Sequence, residues 1–516
     1  MKILIPAAGQ SLRFAAEGIS IPKMFLDVNG AMMIEQVLRM FDERDEFLIL
    51  VNQDVYDHYQ TKIQYLLANN RFVRIMPVEL HTKGPGHTLN REEVREFVGD
   101  SPFLISYCDF VLDWDYQAYK THLESENPIG DIVSFRGFHP ASFGSTKFAY
   151  LKIDENRVLE VREKESFTNN RQEEFASVGI YFFDSWVRYA FAFHMLDSVL
   201  NPEAERYISL VYNYLISQEG NITHFPVRKF ICLGTPEDYE EFDFWASYSK
   251  SFKDFEPHFQ TEVDVAVIPM AGEGRRFREK GYRLPKPLIP INGKPMFIRT
   301  LETLPKPNKT LLITRENFVE RIKAEFLNTF SGMNLEIRHF EGSTGGPGET
   351  LLLFSKDFSN SGSLTISSCD YEHQFDGARF RALIEDTKID GVVFTTKYSK
   401  FRMKEASAFA YCKLNADGFI SSVVEKETIS DNPKNDPLVT GTFWFRRGAD
   451  LASCLSQALI QDKRVNGEIY VGNSINLLIA AGAKFVIFEV TNWISFGDPF
   501  ELDIYHYWQE YFQASI

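Results

Sequence analysis

Short apolar runs alternate along this chain with segments whose apolar residues recur at helical spacing. Residues 2–6 (KILIP), 46–51 (EFLILV) and 103–109 (FLISYCD) read as strands, and 31–41 (AMMIEQVLRMF) as a helix. That alternation predicts an α/β domain with a mainly parallel sheet, because parallel neighbours need a crossover and a helix supplies it. Ligands of such sheets bind at the carboxyl ends of the strands. The glycine turn after the first strand and Asp109 at the end of another both fall at such an end.

The pattern occurs twice. IPAAGQSLRF near the start returns as IPMAGEGRRF from Ile268, and PKMFLDVNG returns as PKPLIPING. Gly9, Arg13, Lys23 and Gly30 map onto Gly272, Arg276, Lys286 and Gly293 at an offset of 263. Further on, TKGPGHTL pairs with TGGPGETL, Cys108-Asp109 with Cys369-Asp370, and Asp115 with Asp376. Glu163-Lys164, Gly179, Glu205 and Tyr207 pair with Glu425-Lys426, Gly441, Glu468 and Tyr470 at offsets of 262 or 263. Drift of only one or two residues over most of each half marks a tandem duplication. It divides the chain into residues 1–250 and 263–516 around a junction at 251–262. That junction is short and not Gly/Ser-rich, so the halves are expected to pack together.

Each copy carries phosphate chemistry. Small residues in the turns Ala8-Gly9-Gln10-Ser11 and Ala271-Gly272-Glu273-Gly274 let backbone N–H groups approach phosphate oxygens closely. Neither turn has the third glycine of a dinucleotide-binding loop or the Gly-Lys-Ser/Thr of a P-loop. Arg13 with Lys23, and Arg276 with Lys286, suit a triphosphate whose leaving pyrophosphate needs its charge neutralised. Asp109 and Asp370, ending apolar strands near those cations, are hard-oxygen candidates for Mg²⁺. Asp115 and Asp376 read as helix caps, and Cys108 and Cys369 as small buried residues.

In this order the motifs resemble the sugar-phosphate nucleotidylyltransferase family across essentially all of both halves. The resemblance implies a Rossmann-like fold of the glycosyltransferase-A type, duplicated in tandem, and a Mg²⁺-dependent transfer of a nucleotidyl group from a nucleoside triphosphate to a sugar phosphate. It implies that the turns Ala8–Arg13 and Ala271–Arg276 wrap the triphosphate and that Lys23 and Lys286 steady the transition state. The loops at Gly84-Pro85 and Gly346-Pro347 would face the base. Asp109 and Asp370 would hold the metal, and Glu163, Lys164, Gly179, Glu425, Lys426 and Gly441 would line the acceptor side. Many members carry a second metal carboxylate where this chain has Cys232 and Ser495, so either the metal is held with fewer protein carboxylates or a nearby acid such as Asp498 substitutes. The second half is closer to the family's wording, which makes it the stronger expectation for catalysis. Transfer of a cytidylyl group to a non-sugar phosphomonoester, or one half kept as a non-catalytic nucleotide-binding scaffold, are the alternatives.

Composition narrows the partners. With 55 Lys and Arg against 71 Asp and Glu, the net charge of −16 argues against a nucleic-acid or anionic-membrane surface. Five widely spaced cysteines and no run of 18 apolar residues fit a cytoplasmic protein with no membrane span.

Overall fold

The computed structural model describes residues 1–142, 147–253, 262–399, 402–403 and 405–514. The expected junction lies largely outside the described residues. The chain forms two compact units, Met1–Lys250 together with Tyr507–Ile516, and Ser251–His506. The last ten residues therefore count with the first unit, not with the second as the repeat offset places them.

In the first unit Val73–Val78, Glu46–Asn52, Lys2–Ala7 and Phe103–Ser106 lie side by side and parallel. The next strand, Phe175–Phe183, runs antiparallel to both Phe103–Ser106 and Gly130–Phe135. Ile222–Pro226 follows parallel to Gly130–Phe135, and the hairpin Ala149–Asp154/Arg157–Glu163 closes the sheet. The second unit repeats this order with Asn334–Phe340, Lys306–Arg315, Glu262–Pro269, Leu364–Ile366, Leu438–Phe445, Gly391–Thr396 and Phe485–Glu489. Again the fifth strand is the antiparallel one. Both units thus have a Rossmann-like α/β fold in which a mixed sheet replaces the wholly parallel one.

Both faces of the sheet are covered, which is why its strands read as unbroken apolar runs. Ile3, Ile5, Ile49 and Val51 pack into one cluster, while Leu4, Leu48 and Leu50 point into another on the opposite face. The segment expected as one helix from Ala31 begins instead with a hairpin, Asp27–Val28 paired with Ala31–Met32, and the helix is Met33–Leu38. Asn29 and Gly30 both take positive φ, 55° and 86°, the tight turn that Asn-Gly favours. Asn292-Gly293 repeats it at 48° and 77°.

The C-terminal segment belongs to the first unit's core. Tyr507 OH donates to the Phe230 carbonyl at 2.5 Å, and the Trp508 ring packs on Phe242 and Phe512. Trp508 is 3% exposed. Trp508→Ala is therefore expected to cost the first unit about 3–5 kcal/mol. Calorimetry should show the transition that includes the first unit moving to lower temperature; an unchanged profile contradicts this packing.

Candidate active site

Each first strand delivers its glycine turn to the carboxyl end of the sheet. Gly9 and Gly272 face open space, where an added Cβ would meet nothing within 4 Å. Ser11 holds a left-handed conformation at φ 53°, and its hydroxyl accepts a hydrogen bond from the Lys23 backbone N–H at 3.2 Å. Gly274 fills the same role at φ 59°, where a Cβ would come within 3.1 Å of the Lys286 Cβ. A hydrogen bond thus ties the turn to the lysine in the first unit, and in the second the two pass in close approach.

The lysines meet Asp109 and Asp370, which lie three and four residues past the strands Phe103–Ser106 and Leu364–Ile366 and not, as the sequence suggests, on the strands themselves. Lys23 Nζ lies 2.7 Å from Asp109 Oδ2, and Lys286 Nζ donates to Asp370 Oδ2. Burial works against each lysine's charge, yet the neighbouring carboxylate outweighs it and holds the lysine above its ordinary pKa. Asp370 also accepts from the Ser368 hydroxyl on Oδ1, whereas Asp109 receives only Lys23 among the described residues. Arg13 is exposed on the turn. Arg276, also exposed, comes within 3.8 Å of Asp498.

A cleft of about 460 Å³ in the first unit gathers Gly9, Arg13, Lys23, Gly84, Asp109 and Tyr207. Its far wall is Gly84-Pro85, a loop clamped to the segment before the helix Ile208–Ser217. Gly84 has φ +85°, a Cβ there would lie 2.9 Å from the Arg206 backbone N, and Gly86 N–H donates to the Arg206 carbonyl. Gly346 repeats this against Glu468, and Gly348 N–H donates to the Ile469 carbonyl.

The residues expected on the acceptor side adjoin these walls. Lys164 Nζ donates to the hydroxyl of Tyr207, itself a cleft residue, and Gly179 leaves room for the cleft's Tyr107, whose ring a Cβ would meet at 2.9 Å. In the second unit Glu425, Lys426, Gly441, Pro347, Tyr371 and Tyr470 line one cavity of about 200 Å³. Lys164 and Lys426 both sit at positive φ, 57° and 58°, a strained conformation for lysine and one held identically in both copies. Glu163 accepts from the Ser209 hydroxyl at 2.6 Å, and burial raises its pKa. Glu425 is pushed up to about 7 by burial, against the pull of Lys426 and of an N–H bond from Asn473.

Asp115 and Asp376 cap helices, accepting from Ala118 N–H and Ala378 N–H at 2.9 Å each. The residue types at 232 and 495 left open which acid stands nearby. Asp498 forms a reciprocal cap with Glu501, each backbone N–H donating to the other's carboxylate at 3.2 Å. Ser495 Oγ donates to that same Glu501 at 2.6 Å. In the first unit Thr235 and Asp238 form the matching cap, with Cys232 Sγ 3.5 Å from Asp238. Asp238 and Glu501 were not singled out from the sequence, although the spacing TPED and DPFE carries the capping signature. Among the described residues no group of three or more His, Cys, Asp or Glu is placed to hold a metal, and no helix is long and apolar enough to cross a membrane.

The UTP–glucose-1-phosphate uridylyltransferase 2 of Staphylococcus saprophyticus is 25% identical over 157 residues, 26% of this chain. The chain spans about half the length of that curated relative, 52%. A nucleoside-diphosphate-sugar pyrophosphorylase from Vibrio cholerae matches 46% of this chain and 98% of its own, at 20% identity and a TM-score of 0.39. The inositol-1-phosphate CTP transferase of T. maritima matches 48% and 96%, at 14% identity and a TM-score of 0.38. The chain is similar to sugar nucleotidyltransferases. No family model matches it.

Glu425 yields a pH test. Its folded-state pKa, about 7, stands above the ordinary 4.5, so the folded protein binds the extra proton between those values. Stability from this group is complete below about 4.5 and is lost as pH rises to about 7. Glu425→Gln should flatten the stability–pH curve across that window, measured by urea unfolding. A slope identical to that of the unaltered protein contradicts the assignment.

Proposed function

We propose that each unit transfers a nucleotidyl group from a nucleoside triphosphate to a phosphorylated acceptor, a sugar 1-phosphate in the first instance, releasing pyrophosphate. The observation that carries this reading is the Lys–Asp pair formed in both units, Lys23 with Asp109 and Lys286 with Asp370. A phosphate oxygen of the acceptor attacks the α-phosphorus in line. The new P–O bond forms as the bond from the α-phosphorus to the bridging oxygen breaks, and the electron pair leaves with pyrophosphate. No protein nucleophile is needed; the residues act by positioning and by charge.

The turn's backbone N–H groups and Arg13 or Arg276 hold the β- and γ-phosphates, and Lys23 or Lys286 neutralises charge developing around the α-phosphate. Gly84-Pro85 and Gly346-Pro347 abut the base. Glu163, Glu425 and the strained Lys164 and Lys426 meet the acceptor, the lysine its phosphate and the glutamate its hydroxyls. Mg²⁺ fits beside Asp109 and Asp370: each offers hard oxygen, and a glycine leaves room beside it, a Cβ at Gly234 coming within 3.1 Å of Asp109 and one at Gly497 within 3.0 Å of Glu501, 3.1 Å of Ser495 and 3.5 Å of Asp370. Bound there, the ion would supply positive charge to the phosphates, with one protein carboxylate holding it and the substrates completing its shell.

The relation to a uridylyltransferase makes UTP with glucose 1-phosphate the first pair to try, within a matrix of four nucleoside triphosphates against sugar phosphates and other phosphomonoesters. Pyrophosphate release in at least one combination is expected. Lys23→Ala and Lys286→Ala should each lower the activity of its own unit by about 10²–10³-fold. Absence of release across the matrix, or full activity in the double variant, overturns the proposal.

A further inference from the structure

We infer that Lys23 and Lys286 are the resident counter-ions of the metal carboxylates, so that a divalent cation enters each site only when a phosphate chain draws the lysine away. This inference rests on the proposed function, since it concerns how the same two sites are loaded. Lys23 Nζ sits 2.7 Å from Asp109 Oδ2, the oxygen beside the hollow at Gly234, and Lys286 holds the corresponding oxygen of Asp370 beside Gly497. An ammonium group and a divalent cation cannot share that oxygen at such distances without strong repulsion. The carboxylates are only 22% and 6% exposed, so water does little to relieve the conflict.

Incoming phosphate resolves it. The lysine exchanges a carboxylate oxygen for phosphate oxygens, the aspartate exchanges an ammonium for the metal, and every charge stays compensated throughout. Such an arrangement admits metal and nucleotide together and leaves no bare divalent ion waiting in the cleft.

The two units differ in how firmly the aspartate is held. Asp109 receives Lys23 on one oxygen, while Asp370 is held by Lys286 on one oxygen and by the Ser368 hydroxyl on the other. Removing the first lysine therefore frees a metal ligand more completely than removing the second.

Electron paramagnetic resonance of Mn²⁺ titrated into the full chain tests this without turnover. The unaltered protein should bind Mn²⁺ weakly alone and at least about tenfold more tightly with pyrophosphate, a probe that carries no base. Lys23→Met should bind one Mn²⁺ per chain at least about tenfold more tightly than the unaltered protein without pyrophosphate. Lys286→Met should gain less, and Lys286→Met with Ser368→Ala should gain as much as Lys23→Met. Adding Asp109→Asn to Lys23→Met should abolish the gain. Tight Mn²⁺ binding by the unaltered protein alone, or no gain in Lys23→Met with its circular dichroism unchanged, overturns the inference. Should pyrophosphate bring in Mn²⁺ while Lys23→Met gains nothing, the counter-ion role falls and the nucleotidyl-transfer reading stands. Failure of pyrophosphate to recruit Mn²⁺ overturns both.

Discussion

An ammonium group and a carboxylate brought together at the end of a buried sheet constrain much of what surrounds them. The glycine turn lies against the lysine in both units, tied to its backbone N–H by the Ser11 hydroxyl in one and passing close to it at Gly274 in the other. Asp109 is set on the short connection between the strands Phe103–Ser106 and Phe110–Asp113, whose apolar residues are buried in the clusters on the two faces of the sheet. Late glycines Gly234 and Gly497 keep the space beside the carboxylate open. A side chain at any of these glycines would fill the hollow or push the turn away. The same few residues thus serve folding and charge placement at once.

Much of this was legible in the chain because it depends on local spacing. The strands at 2–6, 46–51 and 103–109 appear at Lys2–Ala7, Glu46–Asn52 and Phe103–Ser106, where apolar runs meet turn residues. The meeting of Lys23 with Asp109 follows from two motifs ending at one edge of the sheet. Less legible were features set by contacts far apart in sequence. Phe175–Phe183 is as apolar as its parallel neighbours, and only its pairing partners make it antiparallel. Burial of Glu425 depends on how the helix Val471–Ala480 sits over it, which no residue near Glu425 announces. The inclusion of Tyr507–Ile516 in the first unit lies beyond any offset argument, since duplication describes ancestry and not packing.

Duplication also lets the copies drift where chemistry permits. The elements that bind phosphate differ by single groups, such as Ser11 for Gly274. The short helix after Gly84 and Gly346 differs more: His87 of the first unit stands where the second has Glu349, which accepts from Gly345 N–H and pairs with Arg464. Such divergence falls at the wall proposed to meet the base.

The central claim is that two complete phosphate sites operate in one chain. Equilibrium dialysis of the preferred nucleoside triphosphate against the full-length protein tests it most directly. Two molecules bound per chain, falling to one in Lys23→Ala and to one in Lys286→Ala, is the result the account predicts. A single molecule bound by the unaltered protein, lost entirely in one variant and unaffected in the other, would contradict it.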